Sequence, residues 1–168
     1  MKKLLLGGVA LMLLCAAFLT VLVSCGGENA STASYSVTAG GVTLKPDMDM
    51  ATVLSSITEE YKYGESSACP PFSGTEKLYD FTSVKVTTYS KDGKDLIMGI
   101  FLKDDSVNVS GVAVGATLED MKEKLGETYT ESGVGTYVYK AGDGSTLKCM
   151  VKNGAVVSIQ LLTKEADS

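Results

Sequence analysis

The sequence predicts an α+β protein built from two tandem repeats, each a short helix packed on one face of a three-stranded antiparallel sheet. Three observations support this fold class. An amphipathic helical stripe occurs twice, three strand-like stretches follow each stripe, and a tight-turn dipeptide joins the last two strands of each set. Two short helices cannot bury each other well, so each is expected to cover a sheet. The repeats span 36–107 and 108–163, and a tail follows at 164–168.

The first repeat opens with a helix, predicted from an apolar stripe at helical spacing that comprises Met50, Val53, Leu54 and Ile57. Asp47 or Asp49 is its expected N-cap. A long insertion at 58–74 follows the helix. Three strands are then predicted, at 77–81, 84–90 and 95–102. Asp92-Gly93 is the tight turn between the last two.

The second repeat is more regular. Its helix is predicted from a stripe of Leu118, Met121 and Leu125. Thr117 is the expected N-cap with Asp120 three residues on, in the manner of a capping box, and Gly126 is the expected left-handed stop. Three strands are predicted at 136–141, 146–152 and 155–162. Asn153-Gly154 favours a type I′ hairpin turn between the last two strands.

The N-terminus predicts export. Two lysines precede a largely apolar run at 4–23, and 22–25 reads Leu-Val-Ser-Cys, which is typical of the site cut by a bacterial lipoprotein signal peptidase. Residues 1–24 are therefore expected to be a signal peptide, and Cys25 to be the lipid-modified first residue. The alternative is an uncleaved transmembrane anchor, because the run has about the length that spans a bilayer.

In both cases the folded part lies outside the cytoplasm. A small, polar stretch at 25–35 is expected to act as a flexible tether. The predicted location is the outer face of the bacterial cytoplasmic membrane, held there by acyl chains, or the outer membrane in a Gram-negative host.

The composition excludes several functions. The chain has a net charge of −5 and contains no Arg, His or Trp. An acidic surface without guanidinium groups argues against a nucleic-acid partner. Ser-His and Cys-His catalysis is impossible without His. We expect no metal site and no cofactor, and we expect a protein that is not an enzyme.

Two cysteines remain in the folded part, Cys69 and Cys149. An oxidising exterior favours a disulfide between two such thiols. Cys149 lies within a predicted strand, so the alternative is a buried free thiol that behaves as a small hydrophobe.

Parts of the second repeat resemble a repeat found in the secreted β-lactamase-inhibitor proteins, which have two copies, and in the SmpA/OmlA group of small outer-membrane assembly lipoproteins, which have one. The segments that carry this resemblance are 114–121, 125–126, 137–139 and 153–159. The whole of 36–163 also resembles lipoproteins of anaerobic Gram-positive bacteria, on the segments 69–74, 87–89 and 104–107. The resemblance implies a tandem-repeat fold and, from the inhibitor group, an exposed sheet face that grips a target protein with aromatic residues.

Strand alternation places an unusual number of aromatic residues on the face expected to be exposed. The predicted partner-binding residues are Tyr89, Phe101, Tyr137, Tyr139, Lys148 and Met150. Tyrosine combines a large contact area with a polar tip, which suits an interface. Two alternatives stay open: the insertion at 58–74 covers this face, or the aromatic side is the true core. A one-residue change of register would invert the assignment.

The first functional hypothesis is a lipid-anchored, non-catalytic module that binds a protein or a cell-envelope component through the aromatic face. The second is an envelope-assembly or structural lipoprotein that uses its helices and the loop around Cys69. The third is an enzyme that acts through carboxylates. The oligomeric state is left open by the sequence.

Overall fold

Most of the chain forms β-structure in the computed structural model, which describes residues 34–167. The strands are β1 (Val37–Ala39), β2 (Val42–Leu44), β3 (Lys62–Ser67), β4 (Thr75–Asp80), β5 (Val84–Lys91), β6 (Lys94–Leu102), β7 (Thr130–Glu131), β8 (Thr136–Lys140), β9 (Thr146–Lys152) and β10 (Ala155–Leu162). The helices are α1 (Met50–Leu54) and α2 (Leu118–Leu125), and a 3₁₀ helix spans Lys164–Asp167.

Eight of these strands form one continuous antiparallel sheet with the order β3-β4-β5-β6-β10-β9-β8-β7, while β1 and β2 form a separate hairpin. The middle of the sheet is the pairing of β6 with β10, in which Ile100 lies opposite Leu161 and Phe101 opposite Gln160. Consecutive strands pair as hairpins on both sides of this junction. The segment between β6 and β10 therefore leaves the sheet, forms α2, and returns through the far edge.

The predicted fold class is wrong. The described chain is a mostly β protein with a single eight-stranded sheet, and not two repeats that each pair a helix with a three-stranded sheet. Pairing β6 with β10 removes two edges that separate sheets would expose, since an unpaired edge leaves backbone groups without partners.

The two outermost strands of the sheet, β3 and β7, are not predicted from the sequence. Neither β3, which reads Lys-Tyr-Gly-Glu-Ser-Ser, nor the two-residue β7 has the apolar alternation that identifies a strand.

The core lies on the sheet face that the helices cover. One row of cross-strand partners runs across it, comprising Tyr79, Val86, Ile100, Leu161, Leu147 and Tyr139. These side chains pack in a single cluster with Val53 of α1 and Met121 of α2, both fully buried. Burying a side chain of this size contributes about 1.5–3 kcal/mol, so the two short helices depend on this contact more than on their own propensity.

The predicted N-caps and the Asn153-Gly154 turn are confirmed, whereas Gly126 ends α2 with φ 86° and ψ 178° and so lacks the left-handed helical conformation that was expected. Thr117 accepts a hydrogen bond from the backbone N–H of Asp120 at 3.0 Å, which caps α2. Of the two candidate caps for α1, Asp49 is the one used, and its carboxylate accepts from the N–H of Ala51 at 3.0 Å. Asn153 and Gly154 have φ values of 54° and 79°, as a type I′ turn requires.

The predicted signal peptide at 1–24 and the lipidation site Cys25 lie outside the described residues, as does most of the predicted tether at 25–35. The last tether residue, Tyr35, is buried in the core and so belongs to the folded unit. At the other end, the predicted tail starts with the 3₁₀ helix. Within 34–167, no helix has the length and apolar character needed to cross a membrane.

Candidate functional site

The structure buries three of the six predicted partner-binding residues, and two of these three belong to β8. Tyr137 and Tyr139 are 9% and 1% exposed and lie on the helix-covered side of the sheet. Tyr139 is opposite Leu147, and Tyr137 is opposite Cys149. Cross-strand partners in an antiparallel pair point to the same face, so both tyrosines face the core with these partners. The prediction that Tyr137 and Tyr139 lie on the exposed face is therefore wrong, because β8 has the opposite orientation.

Three other predicted residues, Phe101, Lys148 and Met150, lie on the face opposite the helices. Phe101, Gln160 and Lys148 are cross-strand partners in one row, and Met150 lies opposite Ser158 nearby. Among them only Met150 is largely exposed, at 45%. The ammonium of Lys148 is already paired with the Asp167 carboxylate at 2.5 Å. Among the predicted residues on this face, one exposed apolar side chain, Met150, lies near polar groups. They do not form the continuous aromatic surface that the sequence predicted.

The sixth predicted residue, Tyr89, is 5% exposed. The ring of Phe72, from the loop between β3 and β4, covers it with a centroid distance of 4.7 Å. Its hydroxyl donates to Asp47 Oδ1 at 3.0 Å. The alternative that part of the 58–74 insertion shields the predicted face is thus correct at this position.

The structure shows no bond between Cys69 and Cys149, the possible disulfide pair. Cys69 is an exposed free thiol and Cys149 is a buried free thiol. Cys149 sits in the core between its neighbours Ile159 and Tyr137 on the adjoining strands. Burial raises the pKa of the Cys149 thiol to about 12, which keeps it protonated and unreactive at neutral pH. The buried-thiol alternative describes Cys149.

The largest exposed aromatic surface lies elsewhere, at the β3 edge of the sheet. Tyr61 and Tyr63 are 41% and 51% exposed. The ring of Tyr79 lies 5.3 Å from that of Tyr63 and 5.4 Å from that of Tyr61, and the ring of Phe81 lies 5.2 Å from that of Tyr61. Because Tyr79 and Phe81 are buried, these four rings form a continuous path from the core to the surface. We call Tyr61, Tyr63, Tyr79 and Phe81 the edge aromatic cluster.

Strand register explains the position of this cluster. Tyr63 lies opposite Tyr79 in the β3–β4 hairpin, and Tyr79 lies opposite Val86 of the core row. This site is not predicted from the sequence, because 58–74 lacks the apolar alternation of a strand and is interpreted as an insertion. The signal that was available is the spacing of Tyr61 and Tyr63, which places both rings on one side of an extended segment.

The outer side of β3 is open. No strand within the described part of the chain pairs with it, and five of its six residues are exposed. The opposite edge is β7, which has only two residues. An exposed edge presents a row of backbone donors and acceptors that can pair with another extended chain. The β3 edge therefore combines a backbone template with an aromatic contact surface.

Charges of both signs surround this edge: Glu59, Glu60 and Glu65 lie on or beside β3 with Lys62, and Lys77 lies opposite Glu65. The Tyr63 hydroxyl donates to the Glu65 carboxylate, and this hydrogen bond raises the pKa of Tyr63 to about 12. Glu59 accepts from the backbone N–H of Thr82 at 2.7 Å, which fixes the segment before β3 against the turn that follows β4. Glu60 and Lys62 line a shallow cavity of about 310 Å³ beside Tyr61.

The chemistry available at the edge is recognition by backbone pairing, ring contacts and charge. In the part of the chain that the structure describes, no three His, Cys, Asp or Glu side chains come together as they would around a metal ion. Comparison with known protein families, with curated proteins and with solved structures found no match to this chain.

Proposed function

We propose that this protein is a lipid-anchored, non-catalytic binding protein on the outer face of the bacterial cytoplasmic membrane, and that it captures an extended segment of a partner protein along β3. The observation that carries the binding proposal is the open β3 edge with Tyr61 and Tyr63 exposed beside it. The anchoring proposal is supported by the lipoprotein-type tetrapeptide that ends at Cys25.

The binding mode is strand addition. The partner segment forms main-chain hydrogen bonds with the outer backbone groups of β3, which supply affinity without sequence preference. Side chains alternate between the two faces of an extended chain. The partner residue opposite Tyr63 therefore packs against the edge aromatic cluster, and the residue opposite Glu65 lies on the same face.

The side chains of the edge define the partner. Tyr63 favours an apolar or aromatic residue opposite it, and Glu65 favours Lys or Arg two positions away. Within 59–67, the three carboxylates of Glu59, Glu60 and Glu65 outnumber the single ammonium of Lys62, while Lys77 lies opposite Glu65 on β4. The segment that forms the open edge therefore disfavours an acidic partner. We therefore expect a basic, extended partner segment in which a hydrophobic residue and a basic residue share one face.

The exposed tyrosines are suited to act as the main affinity determinants. Tyr79 and Phe81 already hold the rings of Tyr61 and Tyr63 in position, so binding requires less ordering of side chains. Truncation of such an aromatic residue at the centre of an interface commonly costs about 2 kcal/mol or more, which corresponds to a loss of affinity of about thirtyfold.

The test is selection of displayed peptides on the immobilised protein, followed by affinity measurements on variants. Tyr61→Ala and Tyr63→Ala should each weaken the selected peptides by at least about tenfold. Met150→Ala and Val134→Ala are matched controls, because both residues are exposed and apolar but lie outside the edge. Both controls should bind normally, and the amides of Lys62–Ser67 should gain protection from hydrogen exchange in the complex.

Three outcomes contradict the proposal. Loss of binding in Met150→Ala with normal binding in Tyr63→Ala would assign the partner to the face opposite the helices. A β3 edge that pairs with a second copy, detected as a dimer that Tyr63→Ala dissociates, would make it an oligomer interface. Selected peptides with an acidic consensus would contradict the charge argument.

The anchor is tested separately. Cells grown with radiolabelled palmitate should label the wild-type protein and should not label Cys25→Ser, which should also leave the membrane fraction. Label that persists in Cys25→Ser, or a protein that keeps residues 1–24, would contradict lipidation and favour the uncleaved anchor.

A further inference from the structure

A second concave site lies over β5, away from the β3 edge. It is a cavity of about 270 Å³ between three segments that are distant in sequence. Pro71 and Phe72 come from the β3–β4 loop, Tyr89 and Lys91 come from β5, and Glu165 comes from the C-terminal 3₁₀ helix. The tertiary fold brings these three segments together, so the cavity is not a feature of any one loop.

The apolar wall of the cavity is held in place. Phe72 and Tyr89 contact each other with a ring-centroid distance of 4.7 Å and an interplanar angle of 47°. The loop that carries Phe72 is closed by a backbone hydrogen bond of 3.0 Å from Ala68 N–H to the Gly74 carbonyl. Tyr89 is fixed through its hydroxyl, which donates to Asp47 at 3.0 Å. The aromatic surface is therefore organised before any ligand arrives.

The polar rim carries one positive and one negative group. Lys91 Nζ lies 3.6 Å from Glu165 Oε1, and both side chains are about half exposed, at 51% and 47%. Thr163 Oγ1 lies 2.9 Å from Glu165 Oε2 and 2.7 Å from Asp47 Oδ1, so its one proton can be donated to either carboxylate. Because the two charges lie side by side, the rim offers hydrogen-bond donors and acceptors while its net charge is zero. An ionic ligand gains little there from charge.

We propose that this cavity binds one ring of a neutral pyranose saccharide. The C–H face of such a ring carries weak positive potential, which complements the negative face of an aromatic ring. The hydroxyl groups at its edge can donate to the Glu165 carboxylate and accept from the Lys91 ammonium. Phe72 supplies the accessible ring, because Tyr89 is only 5% exposed beneath it. A pocket with an aromatic wall and a few polar groups that fix orientation is the usual form of a small-ligand site. This site goes beyond the capture of a partner strand at β3.

The test is saturation-transfer NMR on the mature protein, with cellobiose and N,N′-diacetylchitobiose as the neutral probes. We expect transfer to at least one of them, together with amide shift changes at Phe72 and Lys91. Phe72→Ala should weaken binding by at least about tenfold. Phe72 is a loop residue, and the melting temperature of the variant checks that the fold is retained. Tyr63→Ala is the matched control, since it removes a ring from the β3 edge and should bind saccharide normally.

Several results would overturn this assignment. They are the absence of transfer to both neutral probes, unchanged binding in Phe72→Ala, and tighter binding of glucuronate or glucosamine than of the neutral probes. Loss of saccharide binding in Tyr63→Ala would place the sugar at the edge aromatic cluster instead. Peptide capture at β3 can fail while saccharide binding succeeds, so failures of the two proposals can be told apart.

Discussion

Thr163 Oγ1 donates a hydrogen bond of 2.7 Å to Asp47 Oδ1, although the two residues are 116 positions apart. Asp47 lies between β2 and α1 and Thr163 follows β10, so this contact joins an early segment of the folded unit to its C-terminal end. The backbone supports it on both sides: Asp47 N–H donates to the Ile97 carbonyl at 2.8 Å, and Thr163 N–H donates to the Met98 carbonyl at 2.9 Å. Both segments therefore dock beside the same stretch of β6.

Replacing Asp47 with Ala should lower the free energy of unfolding by about 2 kcal/mol or more. The buried Tyr89 hydroxyl loses its acceptor, and a hydrogen bond to a charged group contributes about 1.5–3 kcal/mol. The φ of 64° at this position adds a backbone penalty for Ala. The Thr163 proton can turn to Glu165, which limits the total loss.

Asp47→Asn is the matched control for this prediction, because Asn keeps an Oδ1 acceptor and tolerates the left-handed conformation. Urea unfolding should show a loss below about 1 kcal/mol for Asn. Equal losses for Ala and Asn would mean that the negative charge, and not the hydrogen-bond geometry, stabilises this junction.

Asp167 should make the stability of the fold depend on pH in the acid range. Burial alone would raise its pKa, but hydrogen bonds from Lys140, Lys148 and Thr146 outweigh this effect and hold the pKa at about 2, below the ordinary 3.8. A depressed folded-state pKa stabilises the fold above the unfolded-state value. That stabilisation, about 2 kcal/mol, should disappear as the pH falls from about 4 to 2.

The measurement is urea unfolding of wild type and Asp167→Asn at several pH values between 2 and 6. The variant should be less stable near pH 6 and should approach the wild type near pH 2. Glu123→Gln, at an exposed position on α2, is the control and should follow the wild type throughout. A stability difference that is the same at pH 2 and pH 6 would contradict the role assigned to the Asp167 charge.

Tyr139 provides a direct test of the sheet orientation. Its ring is 1% exposed, and its buried hydroxyl has no hydrogen-bond partner among residues 34–167. Removing an unsatisfied buried hydroxyl is neutral or favourable, so Tyr139→Phe should raise stability by up to about 1 kcal/mol. Tyr139→Ala removes the ring as well and should cost about 3–5 kcal/mol. A change below about 1 kcal/mol in Tyr139→Ala would place the ring at the surface, as the sequence analysis expected.

The two thiols of the folded unit should differ sharply in reactivity. Cys69 is exposed, whereas Cys149 is fully buried and has a raised pKa. Iodoacetamide should therefore alkylate Cys69 in the native protein and reach Cys149 only after denaturation. Mass spectrometry of the digested protein locates the label. If neither thiol reacts with iodoacetamide until a reductant is added, Cys69 and Cys149 form a disulfide and the prediction is wrong.

Features set by neighbouring residues could be predicted from the sequence. The capping contact between Thr117 and Asp120 involves residues three positions apart, and the Asn153-Gly154 turn depends on φ values that these two residue types accept. Such signals need no knowledge of what lies across the sheet. The strands β5, β6, β9 and β10 were predicted for a similar reason, because each carries enough apolar residues to identify it.

The candidate site could not be predicted, because it depends on pairing. β3 is a strand since Tyr63 lies opposite Tyr79, and its own polar sequence gives little indication of this. Tyr139 belongs to the core since it lies opposite Leu147, and alternation within β8 fits either face equally well. An error of one residue in orientation moves every side chain of a strand to the other face.

By itself, the sequence determined the helix N-caps, the tight turns and the absence of the side chains that histidine-dependent catalysis needs, and it predicts an export signal at the N-terminus. Only the tertiary structure decided that β6 pairs with β10, that Tyr137 and Tyr139 are internal, and that Tyr61 and Tyr63 remain at an open edge. The physical reason is the range of the interactions. Caps and turns are made by residues within a few positions of each other, whereas burial is set by long-range strand pairing that joins segments about sixty residues apart, as Ile100 and Leu161 show.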